Sequence, residues 1–424
     1  MSPTLNRVRQ PVISWWMSQS SFNSDGILYL ASGVFALILG FTSGEPAQWH
    51  WGYLTFAVYF AAAILMFLFA RSRWANSRWA NSFSLRKYIL LFLVVGVVII
   101  PLGLEAHWRQ NNSTLAQPEV SVIERAANNV INGKDPYSAY VKDGKLHNQI
   151  KGVPSYESFY PYGVFLSIFG IPEAISHKGY GLTDARLVMT LLTIVVGLIA
   201  LRLLRSSREK KLRVAQVLIA LPTGALFLCT GGDDMPVLAL MLLGVVALQR
   251  KQTYVAAVSI GLAAAMKLTA WPMALGSMIV VRDEKHFGKW KQFFVVSSLI
   301  VVVTILPFAI KAPHTFITNV FSFPFGLSGI NSPAASALPG HILATLWSPS
   351  KHILPATTLI IGGAFMTRYL RAHWPLTLSK MLSLLGTCFL VLICVSSATR
   401  FGYCIYFVNV WVWSWATRED ELSN

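Results

Sequence analysis

Charged residues are scarce in this sequence: Asp, Glu, Lys and Arg together make up only 12% of its 424 residues. A soluble domain ordinarily carries about twice that share. The shortage argues against a soluble enzyme, and it also argues against a disordered chain, which needs many charges and few apolar residues. Apolar residues instead make up 54% of the sequence, and its mean hydropathy is +0.53. These values indicate a polytopic membrane protein.

Cysteine is also scarce, with four residues that all fall in or beside apolar runs: Cys229, Cys388, Cys394 and Cys404. Their spacing matches neither a metal site nor a disulfide framework, so we interpret them as small apolar packing residues. The sequence lacks a Gly-rich phosphate loop, which gives no reason to expect a nucleotide substrate. It also lacks the features of a cleavable signal peptide, because the first apolar run is long enough to span a bilayer.

Long apolar runs recur along the chain, and each predicts a helix that crosses a bilayer. The run 254–281 is too long for one crossing and is interrupted at 267–272, so we predict two helices there, the second one short. The sequence therefore predicts an all-α helical bundle of about 12 crossings, with about 11 as the alternative. The predicted spans are 26–43, 52–70, 88–104, 185–204, 213–229, 236–249, 254–281 (two spans), 293–310, 352–370, 380–397 and 402–417.

The formal net charge of +17 reflects 35 Lys and Arg against 18 Asp and Glu. If the N-terminus is cytoplasmic, 23 of the basic residues fall in cytoplasmic segments and 12 on the outer side. Because basic residues collect on the cytoplasmic side of membrane proteins, we predict this orientation, in the plasma membrane. The same distribution explains the charge without a nucleic-acid partner. We expect a cytoplasmic segment over 1–25, one transmembrane domain over 26–417 and a cytoplasmic tail over 418–424.

The first outer loop, 105–183, is unusually long, and such loops in compact proteins are commonly functional. A proline opens and a glycine closes a helix predicted over Pro118–Ile131. The region 133–154 begins with a turn and continues as a polar run that we expect to be mobile. The apolar stretch 163–172 is too short to cross a bilayer, and we interpret it as re-entrant or interfacial.

Ionisable residues collect on the outer side, beside the membrane. An ionisable group in this position is costly unless it is paired or faces a cavity. The collection therefore favours a cavity that binds an anion and performs acid–base chemistry. The alternative is interfacial snorkelling together with ion pairs at helix ends. The acids are Glu119, Asp184, Asp233 and Asp234, and the bases are Arg186, Lys267 and Arg400.

Short motifs follow one another in order on this side. Residues 119–127 read Glu-Val-Ser-Val-Ile-Glu-Arg-Ala-Ala, and 133–137 read Gly-Lys-Asp-Pro-Tyr. Tyr-Pro-Tyr follows at 160–162, and a Gly-Leu-Ala-Ala-Ala-Met-Lys-Leu-Thr core lies within 256–272. This series resembles the family-87 glycosyltransferases of the GT-C superfamily, which are membrane enzymes that use polyprenyl-phosphate sugars. It resembles actinobacterial relatives in this family, including phosphatidylinositol-mannoside mannosyltransferases.

The resemblance implies a GT-C fold with its active site on the outer face. It also implies that an acid of the first outer loop acts as base on the acceptor hydroxyl, and the matching catalytic residue is Glu119. The family usually carries Asp there. The longer Glu either alters the acceptor geometry or leaves the role of base to Asp233, Asp234 or Glu105.

A polyprenyl-phosphate leaving group needs its negative charge stabilised, which Lys and Arg do through charge-assisted hydrogen bonds. Lys267 is the first candidate. The tyrosines of the loop either stack on sugar rings or anchor the loop at the interface. The substrate-binding candidates are Lys267, Asp233, Asp234, Arg186, Arg400, Tyr137, Tyr160, Tyr162 and His341.

We expect a polyprenyl-phosphate sugar as donor, with mannose ahead of arabinofuranose, a lipid or glycan as acceptor, and inversion with a single base. No cofactor is expected, since basic residues stabilise the charge. A divalent metal at Asp233 and Asp234, with Glu119 or His341, is the alternative. A transporter or flippase of a polyprenyl-linked or other anionic substrate is the second functional hypothesis, although the sequence shows no internal repeat. A scaffolding membrane protein is the third, but it would not require clustered acids.

Overall fold

The computed structural model describes residues 21–71, 82–176, 181–282, 289–330 and 332–418, so most of the predicted terminal segments lies outside the described residues. The chain is helical through most of the described part. It opens with three helices that are long and apolar enough to cross a membrane. They are α1 (Ser21–Thr42), α2 (Pro46–Arg71) and α3, which comprises Ser82–Val94, a π-helical turn at Val95–Ile99 and Ile100–Trp108.

Helix α1 begins at Ser21, earlier than the predicted start of the first span, and it includes Asp25. Asp25 was assigned to the cytoplasmic segment, but its side chain is fully buried. Arg86 donates a hydrogen bond of 2.6 Å to Asp25, and Arg213 forms an ion pair with it at 2.9 Å. Two guanidinium groups from distant parts of the chain compensate the buried charge, which allows the helix to extend further toward the N-terminus.

The outer loop contains the predicted helix with the predicted bounds, and it also contains a hairpin that was not predicted. In the hairpin, Tyr140 pairs with His147, and the turn between them has positive φ at Asp143 (51°) and Gly144 (72°). Asp-Gly is favoured in two-residue hairpin turns because both positions tolerate that conformation. The elements are α4 (Pro118–Ile131), β1 (Tyr140–Lys142), β2 (Lys145–His147), 3₁₀ turns at Ser155–Ser158 and Val164–Gly170, and α5 (Ile171–Ser176).

Most of the remaining helices coincide with the predicted apolar runs, and the short helices Pro313–Ile317 and Pro339–Leu346 lie between the predicted runs 293–310 and 352–370. In the described part of the chain, eight helices are long and apolar enough to span a bilayer, so the protein is a polytopic helical membrane protein. The helices that follow α5 are α6 (Ala185–Leu203), α7 (Arg208–Ala215, with a π turn at Gln216–Ala220), α8 (Pro222–Thr230), α9 (Asp234–Gln249), α10 (Thr253–Met266), α11 (Trp271–Val281), α12 (Trp290–Lys311), α13 (Pro313–Ile317), α14 (Pro339–Leu346), α15 (Ser350–Ala372), α16 (Leu378–Val395) and α17 (Cys404–Ala416). The eight candidate spans are α1, α2, α3, α6, α7 together with α8, α12, α15 and α16.

The predicted interruption near Lys267 is confirmed. Helix α10 ends at Met266, Lys267 is extended (φ −146°, ψ 143°), and a 3₁₀ turn over Leu268–Ala270 leads into α11. Pro272 lies in the first turn of α11, where its missing N–H does not remove a helical hydrogen bond. The break places a charged side chain between two apolar helices.

The apolar stretch 163–172 lies between the loop helix α4 and the span α10. A Cβ on Gly163 would lie 1.9 Å from the carbonyl oxygen of Ala265, and the Gly163 amide donates to the carbonyl of Met266 at 2.8 Å. A Cβ on Gly170 would lie 2.7 Å from the Cα of Glu124. Only glycine permits these approaches. The two glycines therefore let the outer loop pack against the helix that ends at Lys267.

A buried ion network attaches α4 to the bundle. Arg109 donates to Glu124 of α4 at 2.8 and 2.9 Å and to Asp184 at 3.0 Å. Arg186 donates to Asp184 at 2.8 Å and to Glu105 at 3.3 Å. All five side chains are buried. Burial alone would raise the pKa of Asp184, but Arg186 and Arg109 hold that pKa below its ordinary value.

This network predicts a large loss of stability when Arg109 is replaced by Met. The substitution leaves Glu124 and Asp184 buried with less compensation, which should lower the free energy of unfolding by about 3–5 kcal/mol. Denaturant unfolding of the detergent-solubilised protein measures the change.

Arg125→Met is the matched control. It also removes the partner of a loop acid, Glu157, which Arg125 contacts at 3.2 Å, but Arg125 is 30% exposed. The free energy of unfolding of Arg125→Met should fall by less than about 1 kcal/mol. Equal losses in the two variants would contradict a special role for the buried network.

Candidate active site

Lys267 lies between the two neighbouring carboxylates of Asp233 and Asp234. Its ammonium donates to Asp233 Oδ1 at 2.8 Å and also to Asp234 Oδ1. The ammonium also lies 5.2 Å from the centre of the Tyr162 ring, within the range of a cation–π interaction. Two carboxylates and one aromatic ring therefore surround the ammonium at the break between α10 and α11.

The local backbone explains why the two aspartates face the break. Helix α8 ends at Gly231, whose φ of 99° is left-handed, and the amide of Gly232 returns to the carbonyl of Phe227 at 2.7 Å. The chain then turns at Asp233, and α9 begins at Asp234. The short link between two buried helices thus presents both carboxylates to the same cation.

Helix α17 completes the surroundings of Asp234. Tyr406 donates a 2.5 Å hydrogen bond to Asp234 Oδ1, and its hydroxyl lies 2.6 Å from the hydroxyl of Thr269. Neither Tyr406 nor Thr269 was predicted as a site residue. The polar residues Arg400, Tyr403 and Tyr406 at the start of an apolar run were a usable signal; Arg400 is extended, and Tyr403 ends a 3₁₀ turn that leads into α17. In the structure all three belong to the site.

A second pair forms beside the first one. Arg400 donates to Glu119 Oε1 at 2.5 Å. Glu119 is brought there by the start of α4, where the Gln117 amide donates to the carbonyl of Thr230 at 2.8 Å and its side chain to the Thr230 hydroxyl at 3.0 Å. The start of the loop helix is thus attached to the end of α8, three residues before Asp233.

The two pairs form one cluster. The hydroxyl of Tyr403 interacts electrostatically with Lys267, Arg400, Glu119 and Asp234. Glu119 also interacts electrostatically with Asp233. We call this group the site cluster, and its members are Glu119, Tyr162, Asp233, Asp234, Lys267, Arg400, Tyr403 and Tyr406.

Two carboxylate oxygens of the site cluster are buried and have no hydrogen-bond partner within the described residues. They are Glu119 Oε2 and Asp233 Oδ2. Burial raises the pKa of the Asp233 carboxyl to about 6, although Lys267 opposes the shift. An unpartnered carboxylate oxygen can accept a proton from a hydroxyl within hydrogen-bond reach, so each of the two residues can act as a general base.

An apolar groove of about 160 Å³ leads away from Lys267. It lies between α10 and α12, and its lining also includes Trp271 and Phe321. The wall contributed by α12 consists of Val301, Val302, Ile305, Leu306 and Ala309. Helix α12 is only slightly buried in the protein, so the groove lies at the edge of the bundle. Lys267, a member of the site cluster, therefore borders an apolar groove.

Several predicted site residues lie elsewhere. Arg186 is fully buried, and it donates to Asp184, Glu105 and the carbonyls of Leu115 and Cys229. The structure therefore places it in the ion network that supports α4. Glu105, the alternative base, belongs to the same network.

The remaining aromatic candidates support the loop. Tyr137 is buried and donates to the carbonyl of Tyr162 at 2.8 Å, and Tyr160 is buried and donates to the carbonyl of Gly163 at 3.2 Å. His341 contacts the carbonyl of Ser397 at 2.7 Å through Nδ1. Of the three tyrosines, Tyr162 is the one that contacts Lys267.

The acids of the site cluster were also considered in the sequence as ligands of a divalent metal. Within the described ranges, no group of three or more His, Cys, Asp or Glu side chains is arranged to hold a metal ion. The Lys267 ammonium contacts one oxygen of each aspartate, which is the position that a cation bridging the two would take.

Comparison with known proteins gives three findings. No curated protein sequence matches this chain. Two crystal structures of ArnT from Cupriavidus metallidurans, one bound to undecaprenyl phosphate and one in the apo state, are similar to it, with TM-scores of 0.46 and 0.44 and identities of 17% and 15%. Each alignment covers 78% of this chain and 60% of the ArnT chain. The profile of glycosyltransferase family 87 matches residues 160–396, which is more than half of the sequence, and this chain therefore belongs to glycosyltransferase family 87.

Proposed function

We propose that this protein transfers a sugar, with mannose the one we expect, from a polyprenyl-phosphate donor to a lipid or glycan acceptor. The observation that carries the proposal is the position of Lys267, which lies between the apolar groove and the carboxylates of the site cluster. An amphipathic donor needs this combination, because its tail is apolar, its phosphate is anionic and its sugar must meet a base.

The groove suits the polyprenyl chain and Lys267 suits the phosphate. The groove is lined almost wholly by apolar side chains of α10, α11 and α12 and by the turn after α13. Of the three ammonium hydrogens of Lys267, two are directed at Asp233 and Asp234. The ammonium also lies 5.2 Å from the Tyr162 ring, and we expect a phosphate oxygen to approach it from the groove. Arg400, which is 31% exposed, is the second cation near enough to stabilise the departing phosphate.

Glu119 is the base that we propose. As the acceptor hydroxyl attacks the anomeric carbon, the bond between that carbon and the phosphate oxygen breaks, and its electron pair leaves with the phosphate. The hydroxyl proton passes to Glu119 Oε2, which is unpartnered within the described residues. Arg400 holds the other oxygen and so orients the carboxylate. A single displacement of this kind inverts the anomeric centre and needs one base.

The orientation supports transfer on the outer face of the plasma membrane. The site cluster lies at one end of α10 and α11, and the basic residues Lys251 and Arg282 lie at their other ends. Since basic residues collect on the cytoplasmic side, the end with the site cluster faces outward. A long-chain lipid donor in the outer leaflet reaches it through the groove.

Replacing Glu119 by Gln should reduce sugar transfer by about 10²–10⁴-fold, which is the usual contribution of a general base. Gln retains an oxygen for Arg400, so donor binding should be nearly unchanged. Transfer of radiolabelled mannose from a polyprenyl phosphate to membrane lipids measures the first quantity, and donor titration measures the second.

Asp233→Asn is the companion variant, because Asp233 carries the other unpartnered oxygen. Normal turnover by Glu119→Gln together with loss of turnover in Asp233→Asn would assign the base to Asp233. Loss of donor binding in Glu119→Gln would make Glu119 a binding residue.

Replacing Lys267 by Ala should weaken donor binding by about 10- to 100-fold, because a charge-assisted hydrogen bond contributes about 1.5–3 kcal/mol. Titration with a polyprenyl phosphate that lacks the sugar isolates the contact with the phosphate. Lys311→Ala at the exposed end of α12 is the control and should bind normally. If the Lys267 variant binds the polyprenyl phosphate with unchanged affinity, Lys267 has a packing role and does not bind the donor.

Transfer should proceed at an unchanged rate after removal of divalent metal with a chelator, because Lys267 and Arg400 supply the positive charge. The measurement is turnover in the presence of EDTA, compared with turnover after Mg²⁺ or Mn²⁺ is added back. A rate that falls with EDTA and recovers with metal would refute the metal-independent mechanism.

A further inference from the structure

Helix α15 stands apart from the rest of the bundle. It packs on α14 and α16, yet no residue in its most apolar stretch is buried. Leu359, Ile360 and Ile361 are 74%, 72% and 68% exposed. Side chains of this kind must be covered inside a bilayer, and lipid acyl chains are the material available there.

A second cavity lies where α15 approaches α11. Its volume is about 430 Å³, and its lining residues are Ile279, Arg282, Leu370, Arg371 and Trp374. Arg282 directly follows α11, at the end opposite to Lys267. The cavity is therefore separate from the site cluster and lies near the other face of the membrane.

The lining combines two kinds of chemistry. Arg282 and Arg371 bring two guanidinium groups to one space, and no carboxylate is among its described lining residues. Both arginines are exposed, so an anion can approach them, and the guanidinium fork matches phosphate oxygens. Ile279 and Leu370 make the adjoining wall apolar. Trp374 is half-exposed, as is usual for Trp at the level of lipid headgroups.

We propose that this cavity binds an anionic glycerophospholipid. The headgroup phosphate lies between Arg282 and Arg371, and the acyl chains run past Ile279 and Leu370 onto the exposed face of α15. Basic cavities between membrane helices are known to select anionic headgroups in this way. The bound lipid fills the space between α11 and α15, and it holds α15 against the helix that carries the break at Lys267.

Native mass spectrometry of the purified full-length protein tests the proposal with two lipids of equal chain length, dioleoylphosphatidylglycerol and dioleoylphosphatidylcholine. The wild type should prefer the anionic lipid, and Arg282→Gln/Arg371→Gln should bind it about tenfold more weakly or worse. The neutral-headed lipid should bind both proteins equally. Phosphatidylglycerol should also raise the Tm of the wild type and leave that of the double variant unchanged.

Arg202→Gln/Arg205→Gln is the matched control, since it removes two exposed charges at the same end of the bundle. It should behave as the wild type does. If the control variant binds phosphatidylglycerol as weakly as the Gln variant of the cavity does, the effect belongs to surface charge in general and the proposal is overturned. Equal binding of the two lipids by the wild type would also overturn it. Arg282→Lys/Arg371→Lys guards against misfolding: it keeps both charges, so it should bind more tightly than the Gln variant. A dimer that buries α15 between two copies of the chain and binds no lipid there would also overturn the proposal.

Discussion

A lysine ammonium held between two carboxylates, at a break in an apolar helix, is the interaction on which the rest of the site depends. Without Asp233 and Asp234, Lys267 would be an uncompensated charge beside the hydrocarbon core. Without Lys267, the link between α8 and α9 would bring two like charges together. The arrangement requires four elements to meet, namely the ends of α8 and α10 and the starts of α9 and α11. The position of the charge is therefore a property of the bundle as a whole.

The outer loop makes this charged position a candidate catalytic site. Helix α4 is held by the buried Arg109 network at Glu124, in its middle, and by the contact between Gln117 and Thr230 at its start. Between these two attachments it presents Glu119 to Arg400. The loop thus adds a carboxylate with one unpartnered oxygen to a cluster already formed by the spans. A base on a firmly attached helix is better oriented than one on a mobile loop.

Some predictions from the sequence succeeded because they rest on local properties. The bounds of α4 follow from a proline and a glycine, and the break at Lys267 follows from a charge and a proline in an apolar run. The hairpin at 140–147 was missed even though Asp143 and Gly144 are a recognised turn signal, because the polar composition of the region suggested mobility. The pairing of Asp25 with Arg86 and Arg213 was not predicted, since nothing near Asp25 in the chain indicates these partners.

The sequence by itself determined where the membrane helices lie, because hydropathy is summed over neighbouring residues. It also determined the family, through motifs whose order can be read along the chain. Only the tertiary structure decided which charges pair. Lys267 joined Asp233 and Asp234, Arg400 joined Glu119, and Arg186 went to the supporting network with Asp184. Pairing depends on which helices pack together, and residues such as Glu119 and Arg400 are 281 positions apart. No local pattern records a contact over that separation.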